Sequence, residues 1–260
     1  MDLNLRGRTA LITGASKGIG FATAMTLADE GCNLILVSRT AADLDAARQK
    51  IAARSSVRVV THALDISQSA SIERLAAEHG DIDILVNNAG AIPAGRLNEI
   101  DENRWRDAWE LKVFGYINMT RAFYAAMKKR GGGVIINILG VAGERLEPNY
   151  IAGSTGNAGL MAFTKAMGAA SPADNIRVVG INPGPIATER LETIMRKRAQ
   201  DMFGDSSRSC ELYQPLPFGR AGKPEEIASM VAFLASDLSA YTTGTVITID
   251  AGAASKGNAI

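Results

Sequence analysis

The segment Thr13 to Gly20, which reads Thr-Gly-Ala-Ser-Lys-Gly-Ile-Gly, has the residue types and spacing that could bind a dinucleotide phosphate. An apolar run, residues 9–12, precedes it, and a helix-forming run, residues 21–25, follows it. In this order, glycines let the backbone turn sharply and approach a pyrophosphate, whose charge then lies at a helix N-terminus. Tight turns also use glycine for structural reasons alone. The prediction therefore depends on the strand–turn–helix context.

The end of the second predicted strand carries the residue that would select between the two nicotinamide cofactors. In a site of this type, an acidic residue at this place binds the ribose hydroxyls of NAD. This chain has Arg39 there instead, together with Lys17 in the glycine turn. Two cations can bind a ribose 2′-phosphate, whereas an acid would repel it. The sequence therefore favours NADP(H) over NAD(H); the alternative is a solvated arginine at a helix start.

Positioning these residues requires a sheet, and short β-branched runs alternate with longer helical patterns along the whole chain. Runs such as residues 82–86 are too apolar for a strand with one wet face and fit a parallel sheet covered on both sides. We predict a single-domain α/β protein over residues 1–260, a Rossmann-type doubly wound parallel sheet of about seven strands. The predicted strands are residues 10–12, 33–37, 57–61, 82–86, 134–138, 176–181 and 246–249, and the predicted helices are residues 18–30, 41–54, 68–79, 102–130, 149–170 and 224–236.

Composition narrows the class of protein further. The 260 residues carry a net charge of +1, which gives no reason to expect nucleic acid or an anionic membrane as a partner. The N-terminus lacks the apolar segment of a signal peptide, and no apolar run approaches the ~20 residues of a membrane span. With two cysteines, Cys32 and Cys210, far apart, we expect a reduced cytoplasmic protein. His62 and His79 share no ligand-type spacing, so no metal site is predicted.

Further motifs follow the glycine turn in order: Asp65, Asn87-Asn88-Ala89-Gly90, residues 183–188, residues 219–228 and residues 248–252. With them, the chain resembles the classical short-chain dehydrogenase/reductase family over about residues 5 to 252. The resemblance implies an NADP(H)-dependent oxidoreductase that acts on a small carbonyl or alcohol, as a homo-oligomer, either dimer or tetramer. The residues expected to bind the cofactor are Gly14, Ser16, Lys17, Gly18, Ile19, Gly20, Arg39, Asp65, Ile66, Asn88, Ala89, Gly90, Asn157, Pro183, Ile186 and Thr188.

The catalytic positions depart from the family pattern of tyrosine, lysine, serine and asparagine. Asn157-Ala158-Gly159-Leu160 matches the family's Lys-Ala-Gly-Leu, which puts Asn157 at the lysine position and Gly153 at the tyrosine position. The match over the fifth strand puts Gly140 at the serine position, and Lys112 stands where asparagine is expected. Because glycine has no side chain, the usual acid–base chemistry is not available at either glycine.

Two residues are candidates for the missing catalytic role. Lys112 could reach the space that the usual lysine fills and lower a donor's pKa, with Asn157 still binding the nicotinamide ribose; alternatively it forms an ordinary ion pair, for example with Glu110. Tyr150 lies about one turn before the usual tyrosine position and could reach the cleft; alternatively it only packs there. Glu144, Arg145 and Glu147 are either a base and a substrate anchor or solvated loop residues.

Residues 189–217 break the periodic pattern, and we expect an irregular lid over the substrate. Met195, Met202, Phe203 and Tyr213 would offer an apolar cover, or else pack against the fold. Two functions stay open at this level. One is an oxidoreductase with substitute catalytic residues, and the other is a nucleotide-binding protein without reductase activity or with non-redox chemistry.

Overall fold

The computed structural model describes residues 2–256, which form one seven-stranded parallel sheet in the order β3-β2-β1-β4-β5-β6-β7. The strand order reverses between β1 and β4, so this is the doubly wound arrangement predicted from the alternating pattern. The strands are β1 (Thr9–Thr13), β2 (Asn33–Ser38), β3 (Val59–Ala63), β4 (Ile84–Asn87), β5 (Gly133–Ile138), β6 (Ile176–Pro183) and β7 (Val246–Ile249).

Helices cover both faces of this sheet. Each face has its own apolar core, as expected for strands that are buried on both sides. Leu27, Leu44 and Val231 pack against one face, and Leu75 and Phe123 pack against the other. The helices are α1 (Gly18–Asp29), α2 (Ala41–Ala52), α3 (Ser69–Glu78), α4 (Glu102–Trp109), α5 (Gly115–Arg130), α6 (Ile151–Ala170), α7 (Glu189–Phe203) and α8 (Pro224–Ala235).

The chain is helical over residues 102–130, as predicted, but not as one regular α-helix. A π-helical segment, Glu110–Phe114, separates α4 from α5. Such segments widen a helix by one residue per turn and occur frequently at functional sites. Lys112 lies inside this segment, and its side chain is buried. The π-helical segment therefore contains one of the two predicted catalytic candidates.

The prediction of an irregular segment over residues 189–217 is wrong, because most of this segment is helical. Residues 189–203 form α7, and a 3₁₀ helix, Ser206–Tyr213, follows. The Thr188 side chain caps α7 by accepting a hydrogen bond from the Leu191 N–H at 3.3 Å. Met195 and Ala199, one turn apart, are the buried residues of this helix.

Of the four residues proposed as an apolar cover, Met195 is buried, whereas Met202 is more than half exposed. Phe203 lies under the Arg208 guanidinium, whose carbon is 4.2 Å from the ring centroid. Within residues 2–256, no helix combines the length and apolar character needed to cross a bilayer.

Candidate functional site

The glycine turn between β1 and α1 has a backbone that only glycine accommodates. Gly14 and Gly18 have φ angles of +64° and +55°. A Cβ atom at Gly20 would lie 2.2 Å from the carbonyl oxygen of Gly14. Asn88, at the end of β4, donates from Nδ2 to the carbonyl oxygens of Thr13 and Gly14 at 3.0 and 3.2 Å. The turn is thus held in shape from the neighbouring strand, at the N-terminus of α1.

The polar residues of the turn have partners that fix its edges. The Ser16 hydroxyl lies 3.1 Å from that of Ser38 at the end of β2. Lys17 Nζ lies 3.3 Å from a carboxylate oxygen of Asp43 and 4.0 Å from one of Glu189. Lys17 is therefore shared with two acids, although its side chain is more than half exposed and can move toward a phosphate. Ile19 packs against the core below the turn.

A cleft of about 690 Å³ opens at the carboxyl edge of the sheet, close to the reversal of strand order. Arg39 and Asp65 lie on its lining together with Leu111 and Arg190. Asp65 accepts a hydrogen bond from the Ser67 N–H at 3.0 Å, which fixes its carboxylate at the end of β3. The volume is that of an ordinary small-molecule site. Arg39 is exposed at the rim of the cleft, and its positive charge is the one predicted to bind the ribose 2′-phosphate.

The remaining predicted cofactor residues lie along the same edge. Ile66 is 3% exposed and Ile186 is 7% exposed, so both side chains pack inside the protein. The Ala89 N–H donates to the Thr13 hydroxyl at 3.1 Å. A Cβ atom at Gly18 would lie 3.2 Å from the Thr188 methyl group, so the loop that follows Pro183 contacts the glycine turn.

Lys112 is held inside the protein rather than in an ion pair. Its side chain is 8% exposed and covers Gly90, where a Cβ atom would lie 2.4 Å from Lys112 Cδ. Nζ donates to the carbonyl oxygens of Ile138 and Leu139, at 2.8 and 3.2 Å, and to the Tyr116 hydroxyl at 3.1 Å. Among the described residues, no acid pairs with Lys112, so the alternative of a pair with Glu110 is wrong.

The environment of Lys112 sets its charge near neutral pH. Burial, together with a smaller effect of the Arg190 charge, lowers the pKa of its ammonium group to about 7. The three oxygen acceptors match the three hydrogens of an ammonium group and favour the charged form. The Tyr116 hydroxyl also donates to the Ile138 carbonyl oxygen at 2.8 Å. A titratable cation is thus bound to the end of β5, directly before Gly140.

Tyr150 fills the space that the absent side chain at Gly153 would take. A Cβ atom at Gly153 would lie 2.0 Å from Tyr150 Cε1 and 2.1 Å from Cζ, so the phenol ring lies against this face of α6. Tyr150 directly precedes α6, and Ile92 and Ala152 lie in the small apolar cluster that the ring joins. The ring therefore lies beside Gly153, and a catalytic role for Tyr150 stays a prediction.

Arg190, which approaches Tyr150 from α7, was not among the predicted site residues. Arg190 donates to the carbonyl oxygens of Gly90 and Ile92, at 3.2 and 2.7 Å. Burial raises the pKa of the Tyr150 hydroxyl, while the charge of Arg190 and a hydrogen bond from it act in the opposite direction. The available signal was its position, two residues after Thr188 at the start of a segment expected to cover the cleft.

Gly140 and Asn157 lie against each other beneath a short turn, Val141–Gly143. A Cβ atom at Gly140 would lie 3.0 Å from Asn157 Nδ2, and one at Gly143 would lie 2.8 Å from the Ala158 nitrogen. Asn157 is 3% exposed, and its Oδ1 has no hydrogen-bond partner among the described residues. The turn covers this amide, and its predicted contact with the nicotinamide ribose stays a prediction.

The charged loop residues near the substrate side are bonded within the protein. Glu144 Oε2 accepts from the Thr248 hydroxyl at 2.6 Å and from Asn182 Nδ2 at 3.4 Å. Arg145 donates to the Ala253 carbonyl oxygen at 3.4 Å, and Glu147 accepts from the Asn149 side chain at 3.1 Å. Glu144 is therefore the one of the three that joins two neighbouring strand ends.

A doubly wound parallel sheet with a glycine turn leading into a helix beside its switch point defines a dinucleotide-binding domain. Comparison with known proteins makes the assignment specific. The profile of the Enoyl-(Acyl carrier protein) reductase family matches residues 14–254. The chain belongs to the short-chain dehydrogenase/reductase family.

The chain matches known enzymes over most of their length. The chain is 35% identical over 253 residues to 2-keto-3-deoxy-L-fuconate dehydrogenase of Xanthomonas campestris pv. campestris, covering 96% of this chain and 81% of that protein. It is 34% identical to a 3-oxoacyl-[acyl-carrier-protein] reductase of Thermotoga maritima, covering 96% and 99%. Among solved structures, L-sorbose reductase from Gluconobacter frateurii, complexed with NADPH and L-sorbose, superposes with a TM-score of 0.91 at 32% identity, covering 99% and 100%.

Proposed function

We propose that this protein is an NADP(H)-dependent oxidoreductase that interconverts a small carbonyl compound and its alcohol. Family membership supports the reaction class, and the relatives named above include enzymes of a sugar acid and of a ketose. A polyhydroxylated ketone or a keto acid is therefore the first substrate class to test.

The residues present fit the cofactor. The turn accepts no side chain at Gly20, and it presents the N-terminus of α1 to a phosphate. Arg39 lies at the rim of the cleft beside Asp65, with no acid in its place to bind the 2′-hydroxyl of NAD. When bound, NADPH supplies a hydride to the substrate carbonyl. The protein must then supply orientation and a proton.

The observation that carries the proposal is the ring of Tyr150 against Gly153. The three family positions now occupied by Gly140, Gly153 and Asn157 offer neither a phenol nor an ammonium group. Tyr150 is a phenol on the same face of α6, with its ring where the side chain of residue 153 would begin. We assign it the role of proton donor to the oxygen of the reduced carbonyl.

One cation from another element acts on this phenol, and a second is bound at the end of β5. The charge of Arg190 acts to lower the pKa of the Tyr150 hydroxyl, and it would stabilise the phenolate that remains after proton transfer. Lys112 holds the end of β5 through two carbonyl oxygens. We assign Lys112 the role of a positioning residue, because its three hydrogens already have acceptors within the protein.

The test combines binding and turnover in one protein preparation. Calorimetry should show tighter binding of NADPH than of NADH. NADPH oxidation, followed by absorbance with ketoses, keto acids and 3-oxoacyl thioesters, should identify the substrate class. Tight NADPH binding with no NADPH oxidation by any compound in the panel would contradict the proposal.

That contrary outcome would support the second candidate function, which is nucleotide binding without reductase activity. The absence of side chains at Gly140 and Gly153 favours it, since no hydroxyl occupies either family position. Under this alternative, Tyr150 and Arg190 only close the space beside the cofactor. Replacing Tyr150 by Phe would then leave every measured property unchanged.

A further inference from the structure

The two histidines of the chain are 17 residues apart in sequence and meet at the edge of the sheet that β3 forms. His62 lies in β3, the edge strand, and His79 directly follows the end of α3. Their Nε2 atoms are 2.7 Å apart, and the ring centroids are separated by 4.8 Å at an interplanar angle of 69°. The side chains are only 12% and 15% exposed. The sequence spacing gave no sign of this pair because tertiary packing alone brings it together.

Glu78 adds a carboxylate to the pair. Its Oε2 lies 3.9 Å from His62 Nδ1 and 4.0 Å from His79 Nε2. Its Oε1 accepts a hydrogen bond from Arg74 Nε at 2.7 Å. One ligand atom from each of the two histidines and Glu78 lies within 4.8 Å of the others. Arg74 thus orients the carboxylate and leaves one of its oxygens toward the imidazoles.

We propose that His62, Glu78 and His79 bind a divalent transition-metal ion, with Zn²⁺ as the best match. Two imidazoles and one carboxylate form a ligand set that Zn²⁺ takes in three-ligand sites, with water in the fourth position. The Glu78 side chain is 41% exposed, so water reaches this side of the group. Arg74 would act as the outer-shell partner that ligating carboxylates commonly have.

Metal binding requires all three ligand atoms to move, since Glu78 Oε2 lies 4.0 Å from His79 Nε2 and its 3.9 Å approach to His62 is to Nδ1 rather than Nε2. With Zn–N bonds of about 2.0–2.1 Å and tetrahedral angles, two ligating nitrogens lie roughly 3.3 Å apart. The Nε2 atoms must therefore separate by about 0.6 Å from their hydrogen-bonded position. In the hydrogen bond, one of the two Nε2 atoms carries the hydrogen. That Nε2 must lose this hydrogen before it can bind a metal. The metal and the His–His hydrogen bond are therefore alternatives at one place.

The position gives the metal a structural consequence. Two residues after β3 comes Asp65, and the loop from Asp65 through Gln68 lines the nucleotide cleft before α3 begins. A metal would join His62, in β3, to His79 at the end of α3. We expect it to raise the thermal stability of the protein and to order this loop.

The experiment uses full-length protein without a histidine tag, in a Cys210→Ser background that removes an exposed thiol. Zn²⁺ is titrated by calorimetry, and Co²⁺ is used as a spectroscopic probe because tetrahedral Co²⁺ absorbs strongly in the visible range. We expect one ion per chain, a visible Co²⁺ band, and affinity at least about tenfold weaker in His79→Gln and Glu78→Gln. Since the chain has only two histidines, no other imidazole can account for the signal.

Glu73→Gln, on the same helix and exposed, is the charge-matched control and should bind as the parent does. The Co²⁺ band of the parent protein needs no variant, so a misfolded variant leaves the test intact. Absence of Co²⁺ and Zn²⁺ binding to the parent would overturn the proposal, as would binding that His79→Gln leaves unchanged. Circular dichroism of each variant verifies that the fold is retained.

Discussion

At the scale of single residues, the site depends on which side chain occupies the space beside α6. Gly153 contributes no side chain, and the ring of Tyr150 lies where its Cβ atom would be. Arg190 approaches the same phenol from α7 and Lys112 is bound beneath β5. The sequence could locate Tyr150 and Lys112, because both are near recognisable motifs. It could not locate Arg190, whose role depends on how α7 packs.

Gly153→Ala tests whether the position of Tyr150 matters. The added Cβ atom would lie 2.0 Å from Tyr150 Cε1, so the ring must move away. We expect turnover to fall by about tenfold or more, with NADPH affinity unchanged, because misplacing a proton donor slows only the chemical step. Gly159→Ala, in the same helix with no atom within 4 Å of the added Cβ, is the control. Equal turnover in the two variants would contradict this role.

Arg39→Asp tests the preference for NADP(H). Replacing the cation by an acid removes a charge-assisted contact with the 2′-phosphate and offers an acceptor to the ribose hydroxyls of NAD. We expect NADPH to bind at least about tenfold more weakly and NADH to bind more tightly. Calorimetry with both cofactors measures this change. Lys129→Asp, an equal change of charge at the exposed C-terminal end of α5, should leave both affinities unaltered.

At the scale of elements, the strands were readable and the interruptions were not. Strands buried on both faces produce continuous apolar runs, and so all seven could be located, although β3 and β4 each begin two residues after the predicted start. The π-helical segment Glu110–Phe114 could not be predicted, because its cause is tertiary. Lys112 there bonds carbonyl oxygens of residues 26 and 27 positions later. Its sequence reads as ordinary helix.

The turn between β1 and α1 is the element on which cofactor binding depends. In Gly20→Ala, the added Cβ atom would lie 2.2 Å from the Gly14 carbonyl oxygen, so the turn must open. We expect loss of NADPH binding by calorimetry and a lower melting temperature. The same substitution at Gly159, in open space on α6, should instead stabilise the fold by about 0.5–1 kcal/mol. NADPH binding that survives Gly20→Ala would exclude this turn as the phosphate site.

At the scale of the whole molecule, the buried Lys112 couples stability to pH. Its pKa of about 7 in the folded protein lies below the ordinary value of 10.5. Between these two values the unfolded chain binds more protons than the folded chain, so stability rises with pH. The destabilisation is fully present below pH 7 and is relieved as pH increases above 7. The expected homo-oligomer and cytoplasmic location stay predictions at this scale.

Comparison with Lys112→Met isolates this effect, since methionine has similar length and no charge. From pH 6 to pH 9, we expect the stability of the parent protein relative to Lys112→Met to rise by about 2.7 kcal/mol. Urea unfolding at each pH provides the free energies. Lys165→Met removes an exposed lysine from α6 and serves as the control. A difference between parent and Lys112→Met that is constant across this range would show that Lys112 stays charged throughout.

The central claim is that the protein transfers a hydride although the family's tyrosine and serine positions are glycines. The most direct measurement uses NADPH that carries two deuterium atoms at C4 of the nicotinamide, incubated with the protein and a panel of ketoses and keto acids. Mass spectrometry of the products then detects any transfer. We predict a monodeuterated alcohol from at least one compound, and a yield reduced by about a hundredfold in Tyr150→Phe. Tight NADPH binding with no deuterated product from any compound would contradict the account.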